Sequence, residues 1–336
     1  LDYLAKVMKQ LLSILAYGAL LATGQTKILS VASLVCLIST AALALQLKWV
    51  LPYTPLYTKS VAAFGGDSGS KQLSILSANV LMTNRHYSAL IDMIARYKPD
   101  IVVTLESDQG WQDALEDIHS AYPYRLACPL DNLYGMHVYS KYELHNGETA
   151  FLVEDDKPSM HAAIKLGDHF VNLHFLHPAP PSPTENETSG ERDAELLVVA
   201  KDIAKRAPIP TIVSGDLNDV AWSATTQAFV KISGLLDPRI GRGAFNTFHS
   251  QYWFARWPLD HIFHSGEFEL VNMRRIENIG SDHFPLLTTL ALTHSSPNSE
   301  NPDEDMGEHH SLAHERIKEE EVSTSDVPNP AQSLIN

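Results

Sequence analysis

The chain has 336 residues, 44% of them hydrophobic, and a formal net charge of -15. That length and apolar content suffice for one large core or two ordinary ones. The acidic balance argues against a broad basic surface that would hold duplex nucleic acid nonspecifically, and Cys36 and Cys128 are too few to form a disulfide framework.

Leu1 stands where a start methionine is expected, which allows a fragment or an alternative start. The uncharged stretches from Gln10 to Thr26 and from Ile28 to Leu47 follow one another across Lys27. The second matches the roughly 30 Å hydrocarbon core of a bilayer and the first is marginal, so residues 1–50 are expected to form a membrane anchor of one or two transmembrane helices. A signal peptide would carry one apolar run and a small-residue cleavage site. Lys6, Lys9, Lys27, Lys48 and Lys59 are spread evenly around both runs, so sidedness is weakly determined, with a slight lean to the extracytoplasmic side of the cell membrane.

Residues 51–70, with Pro52, Pro55 and Gly65-Gly66-Asp67-Ser68-Gly69-Ser70, have linker composition. A soluble domain over 71–292 follows. Leu73 to Val80 is predicted as a strand and Asn84 to Lys98 as a helix with Tyr87, Leu90, Ile91 and Ile94 on one face. Pro99 stops that helix, and Ile101 to Leu105 is a buried strand. Phe151 to Val153, Ala162 to Leu166 and His169 to Leu176 read as consecutive strands, then Glu191 to Arg206 as a helix and Ile209 to Val213 as a strand. Gly234 to Arg256 is mostly loop, and Leu259 to Phe263, Glu267 to Arg274 and Pro285 to Leu292 finish as strands. Helix-bearing and meander-like segments together predict sheets packed face to face with helices outside.

From residue 293 to 336 the chain holds ten acids against two bases, so 8 of the 15 net negative charges lie there, and a disordered acidic tail is expected. His309, His310 and His314 in that tail lack the ordered scaffold of a metal site.

The polar residues that interrupt the apolar pattern gather where strands end. Asn79 and Glu106 close the first two strands, His177 follows the strand through Phe175, and Asp216 and Asn218 follow the strand through Val213. Asp260 sits in a later strand, and Asp282 and His283 precede the last. Singly, each is commonly a turn, cap or half-buried residue. Together they supply carboxylates, a titratable base and a carboxylate to hold it, and strand ends can bring distant residues to one point.

In order, Ser77-Ala78-Asn79-Val80, Val103-Thr104-Leu105-Glu106, His177-Pro178-Ala179-Pro180, Gly215-Asp216-Leu217-Asn218, Leu259-Asp260-His261 and Ser281-Asp282-His283-Phe284-Pro285 resemble the motif series of the endonuclease/exonuclease/phosphatase superfamily. The resemblance covers 71–292 and the layout is similar to bacterial membrane-anchored members. It implies an α/β (α+β) four-layer sandwich of two mixed, mostly antiparallel sheets flanked by helices, and hydrolysis of a phosphodiester in nucleic acid or a lipid headgroup with Mg2+ or Mn2+. A hard, oxygen-ligated cation suits the charge that grows on a phosphate ester. Glu106 is then the first metal ligand, with Asn79 and Asp282 completing or supporting the coordination. His283, held by Asp260, takes the proton from water or stabilises the transition state; Asp216 and Asn218 orient water and phosphate; and His177 donates to phosphoryl oxygens.

Leu81 departs from the Asp of exonuclease III-like abasic-site enzymes, and His177-Pro178-Ala179-Pro180 looks more like deoxyribonuclease I, which disfavours DNA repair. His174 competes with His177 for the phosphate-contacting place, and the Pro-Ala-Pro favours His177. The Gly241 to Pro258 loop carries Phe245, Phe248, Tyr252, Trp253, Phe254 and Trp257 near Arg239, Arg242 and Arg256, to stack on bases, touch lipid or pack the loop itself. An inositol phosphatase-type phosphomonoesterase and an inactive membrane-tethered interaction module are the alternative readings.

Overall fold

The computed structural model describes residues 28–66, 70–181, 188–206, 208–293 and 306–335. The first described helix, α1 (Ile28–Val50), is mostly apolar, with Lys48 in its last turn, and the span Ser33–Tyr53 is by length and composition able to cross a membrane, with none of its most apolar stretch buried. The earlier apolar run at Gln10 to Thr26 lies outside the described residues. Residues 1–58 with 240–243 form one compact unit, in which the amide of Gly241 donates to Pro52 O at 2.8 Å. Residues 59–239 with 244–336 form the other.

In this second unit the strands are β1 (Lys71–Asn79), β2 (Ile101–Leu105), β3 (Tyr124–Cys128), β4 (Met136–Ser140), β5 (His145–Ala150), β6 (Ser159–Leu166), β7 (His169–Leu176), β8 (Thr211–Asp216), β9 (Asp260–His264), β10 (Phe268–Arg275) and β11 (Leu286–Leu292). The helices are α2 (Tyr87–Tyr97), α3 (Gln109–Ala114), α4 (Gly190–Lys205), α5 (Ala224–Ser233) and α6 (Met306–Glu319). A six-stranded sheet has the order β10-β11-β1-β2-β4-β3 and a five-stranded sheet the order β5-β6-β7-β8-β9. Only β1 with β2 and β7 with β8 run parallel. Each parallel pair is bridged by a helix, α2 or α4, as a crossover requires.

Alternation along the strands sets the layers. In β7, Val171, Leu173 and Phe175 enter the core between the sheets, while Leu176 packs under α4 and α5. In β1, Leu73 and Ile75 face that same core and Leu76 and Ala78 face α2 and α3. β2 is buried along its whole length, as a central parallel strand must be. Helix, sheet, sheet, helix is therefore the layer order, as expected. α2 begins at Tyr87 instead of Asn84, because the Asn84 side chain donates to Val80 O and Ile279 O and holds the chain in a turn. It ends at Lys98 in the left-handed region, φ 47°, just before Pro99. The strand expected at Phe151 to Val153 is displaced to β5, with Phe151 itself exposed at the bend that follows.

Two boundaries differ from expectation. In the stretch read as linker, Val61 is fully buried in the central core, and the amide of Phe64 donates to Leu270 O at 2.9 Å, so residues 59–64 belong to the domain. In the stretch read as a disordered tail, α6 packs on α4 and α5. Ala313, Val322 and Val327 join the apolar cluster of those helices, with Leu312 and Ile317 against it. Ala331 continues onto β7, its amide donating to Asn172 Oδ1 at 3.0 Å. Glu308, Glu315, Glu319 and Glu321 are exposed, and the few apolar residues of this helix recur at helical spacing.

His137, His161, His174, His177 and His261 are all buried. Burial holds His161 down to about 3 and His137 and His177 down to about 4, and lowers His174 and His261 well below the ordinary value of 6.5. The unfolded chain binds these protons below about 6.5 and the folded chain does not, so stability is lost as pH falls from 6.5 toward 4. A pKa change of one is worth about 1.4 kcal/mol, which makes His137 alone worth on the order of 3 kcal/mol. Glu195, pushed up to about 8 by burial, and Asp202, up to about 6 by burial, act with the opposite sign as pH rises. The urea midpoint of metal-free protein is expected to be highest between about pH 6 and 7 and to drop steeply below it. A flat profile from 7 to 5 would contradict neutral buried histidines.

Candidate active site

The two parallel pairs aim their downstream ends at one rim. Asn79 ends β1 and Glu106 follows β2, while His177 follows β7 and Asp216 ends β8. β9 runs antiparallel to β8 and begins with Asp260 paired to Asp216. β11 runs antiparallel to β1, so Asp282 and His283, just before its start, arrive there too. Seven residues spread from 79 to 283 thus converge because strand direction, not sequence distance, decides where they fall.

Asn79 is the hub. Its Nδ2 donates to Glu106 Oε1 at 2.7 Å and to Asp216 Oδ2 at 3.2 Å, and its Oδ1 accepts from the Leu81 amide at 3.1 Å. Glu106 leaves β2 in the left-handed conformation, φ 56°, a strained choice for a residue with a side chain. Its Oε2 is buried and has no partner. Burial, with the negative charges of Asp282 and Asp216, pushes its carboxyl up to about 7 against the Asn79 hydrogen bond and the pull of His283.

His283 lies between two carboxylates. Its Nδ1 donates to Asp260 Oδ2 at 2.8 Å, and Nε2 is 3.5 Å from Asp216 Oδ2. Burial by itself would lower this imidazole, but Asp216 and Asp260 carry it up to about 10. The two carboxylates that face its ring nitrogens favour the doubly protonated imidazole. Asp216 is raised in turn, by burial above all. The backbone around His283 is clamped: Asn278 Nδ2 donates to Ser281 O at 2.6 Å and the Ser250 amide to Asp282 O at 2.7 Å.

His177, and not His174, reaches the rim. Its ring lies 5.3 Å from that of Tyr134, its Nδ1 has no partner, and Asp216 and His283 both act on its charge. His174 points under the helices, its Nδ1 2.7 Å from His161 Nδ1. Asn218 is also left-handed, φ 51°, and its amide donates to Asp216 Oδ1 at 3.0 Å. Its side-chain Nδ2 donates to Pro178 O at 2.9 Å, which ties Asn218 to the turn that follows His177.

The buried, unpartnered Glu106 Oε2 fits a divalent cation, and the nearby donors are oxygens suited to Mg2+ or Mn2+. The negative charge of Asp282 acts on Glu106 and adds to the acidic character of the rim. Asp216, Asp260 and His283 also offer ligand atoms within 4.8 Å of one another. In that trio His283 Nδ1 is hydrogen-bonded to Asp260 Oδ2 at 2.8 Å and Nε2 lies 3.5 Å from Asp216 Oδ2.

Residues without a sequence signal complete the rim. Lys157 Nζ sits 4.4 Å above the Tyr134 ring and its charge acts on His177. The Lys157-Pro158 pair had the mark of a turn only. Behind Glu106, Ser107 Oγ lies 2.7 Å from His137 Nδ1, and His137 Nε2 lies 3.1 Å from Gln112 Oε1. In the aromatic loop, Phe248 packs 4.9 Å from the His283 ring, while Tyr252, Trp253 and Phe254 are exposed, Trp253 by 81%. Arg239 is not available to a substrate, being fully buried against Asp237 with its Nη2 2.7 Å from Asp237 Oδ2.

Residues 76–283 match the model of the Endonuclease/Exonuclease/phosphatase family. A Vibrio campbellii protein named UPF0294 protein is 28% identical over 156 residues, which is 46% of this chain and 44% of that protein, so the match spans less than half of the relative's length. TDP2 from D. rerio, in complex with a single-strand DNA product, is similar in structure with a TM-score of 0.55 and 20% identity, covering 67% of this chain and 99% of that one. The human Nocturnin catalytic domain with bound sulfate has a TM-score of 0.54 and 17% identity, covering 66% and 95%. A Bacteroides thetaiotaomicron endonuclease/exonuclease/phosphatase family protein has a TM-score of 0.53 and 18% identity, covering 66% and 98%. These structural likenesses establish a shared fold, and the family match over most of the second unit fixes the membership. The chain belongs to the endonuclease/exonuclease/phosphatase family.

Proposed function

We propose that this protein is a membrane-anchored, divalent-metal-dependent phosphodiesterase whose substrate is a nucleic acid or a lipid headgroup. The observation that carries the reading is the buried, unpartnered Glu106 Oε2 set beside Asn79, Asp216 and the Asp260-held His283 at one rim. A bound Mg2+ or Mn2+ would supply positive charge to the phosphate and its leaving oxygen. Glu106 and Asp282 would hold the ion, with Asn79 orienting Glu106.

The remaining steps belong to side chains. Asp216 Oδ2, flanked by Asn79 and His283, is the acceptor that aligns the attacking water and receives its proton. His283, protonated and fixed by Asp260, donates to a phosphoryl oxygen as negative charge builds there. His177 stays neutral and offers a second donor to the same group. Asn218 positions His177 through the turn at Pro178.

The α1 helix supports attachment to the cell membrane, with the extracytoplasmic side as our choice for the domain. The exposed Tyr252, Trp253 and Phe254 support a flat or flexible substrate, either lipid or single-stranded bases. The DNA product in the D. rerio TDP2 structure puts single-stranded DNA into the test.

The test uses the full chain in detergent micelles with bis-p-nitrophenyl phosphate, single-stranded DNA and sphingomyelin. Turnover of at least one substrate is expected with Mg2+ or Mn2+ and none with a chelator. Absence of turnover on all three, with either ion, would favour an inactive tethered module, and turnover indifferent to the chelator would refute the metal.

A further inference from the structure

Away from the catalytic rim, a cavity of about 260 Å³ opens at the opposite ends of β7, β8 and β9. Asn172 and Thr211 near the starts of β7 and β8 line it, as do Gly234 after α5, Glu267 before β10, Arg206 after α4, and His174. Four residues of β7 separate Asn172 from Leu176, or about 13 Å at the rise of a strand. The cavity is thus a separate place from the site at His177.

Three polar atoms of its walls have no partner in the protein. They are His174 Nε2, on a side chain with no exposure, Arg206 Nη1 and Glu267 Oε2. Such buried orphans each cost about 1–3 kcal/mol unless something satisfies them. His174 Nδ1 is engaged with His161, so the opposite ring nitrogen is the one left over. His161 passes the bond on from its Nε2 to Ser159 Oγ at 2.8 Å. This chain can carry its protons in either order, so Nε2 can donate or accept. Arg206 has used one nitrogen, Nη2, on Val327 O and on Asp202, which leaves Nη1 for a ligand.

The signs of charge narrow the ligand. Arg206 favours an acidic group, and its guanidinium lies near enough to His174 to act on it. Glu267 needs a donor, and the cavity is reached by the C-terminal ends of α4 and α5, where the helix dipoles favour positive charge. A simple anion would be opposed by Glu267 and a simple cation by Arg206. We propose that this cavity binds a small zwitterion, its phosphate or carboxylate on Arg206 and His174 and its ammonium on Glu267. Its size, below the range of about 300–1,000 Å³ for drug-sized pockets, fits a molecule of that kind.

Calorimetric titration of the full chain in micelles, with chelator present, tests this with four probes: phosphoethanolamine, β-alanine, inorganic phosphate and ethanolamine. At least one of the first two is expected to bind ten or more times tighter than either single-charge probe, and which one does so identifies the acidic group. Glu267→Gln should weaken that binding at least tenfold, bind inorganic phosphate as tightly as the parent protein or tighter, because the opposing charge is gone, and leave phosphoesterase turnover unchanged. Arg206→Lys, which keeps a cation for Asp202 but loses the planar fork, should weaken all three probes that carry an acidic group. The proposal falls if no probe saturates, if inorganic phosphate or ethanolamine binds as tightly as the better of the two zwitterions, or if Glu267→Gln binds that zwitterion like the parent protein.

Discussion

His283→Ala is expected to lower kcat/KM on a phosphodiester by about 10³-fold or more, because the side chain holds a position no other donor can take. Its two ring nitrogens face Asp260 and Asp216, so it is already oriented and charged before substrate arrives. The loss should fall on kcat, where charge develops, more than on KM. Raising the pH should not restore it, since the missing group is a donor. Glu106→Gln should also reduce turnover by about 10²-fold or more, but with a different signature. The amide removes the carboxylate charge while nearly keeping its shape, so the Mg2+ or Mn2+ concentration needed for half-maximal activity should rise sharply. His283→Ala should leave that concentration nearly unchanged. Metal titrations of the two variants check this, and equal metal dependence in both would overturn the division of labour between Glu106 and His283.

The second large effect concerns folding. Gly215 has φ +152°, and a Cβ placed on it would lie 1.9 Å from Leu176 O. These residues are neighbours in the parallel pairing of β7 with β8, directly before His177 and Asp216 leave their strands. A methyl group there must push the strands apart as well as strain the backbone, so Gly215→Ala should cost about 3–5 kcal/mol or prevent recovery of folded protein. Gly234, at φ +70° with open space around its α-carbon, is the comparison. Gly234→Ala bears only the backbone strain and should cost about 1 kcal/mol. Urea unfolding of the two variants separates them, and equal losses would mean that the close approach at Leu176 is not limiting.

Why the rim was legible in the sequence is clear from its parts. The strand interiors are apolar, so Asn79, Glu106 and Asp216 stand out as interruptions at strand ends, and a strand end is a fixed place in a sheet. β2 and β7 were readable to the residue for the same reason, one as a continuous apolar run and the other as an alternating one. What escaped was decided by partners distant in sequence. Tyr134 and Lys157 reach the rim from connections after β3 and β5, where no period announces a side chain's direction. The role of Asn218 depended on a carbonyl at Pro178 that only the folded chain supplies. β3, β4, α3 and α5 are short or weakly patterned, and packing against neighbours selects their conformation more than propensity does. The acidic tail misled because charge counts the whole segment, whereas packing needs only Ala313, Ile317, Val322 and Val327 on one side.

The return of residues 306–335 onto α4, α5 and β7 has a practical side. A protein trimmed at Leu292, where the last strand stops, would bare Leu196, Val199 and Phe229 of the cluster that α6 closes, and it should tend to clump in solution. The smallest piece able to stand alone therefore reaches from about Lys59 to the final residues.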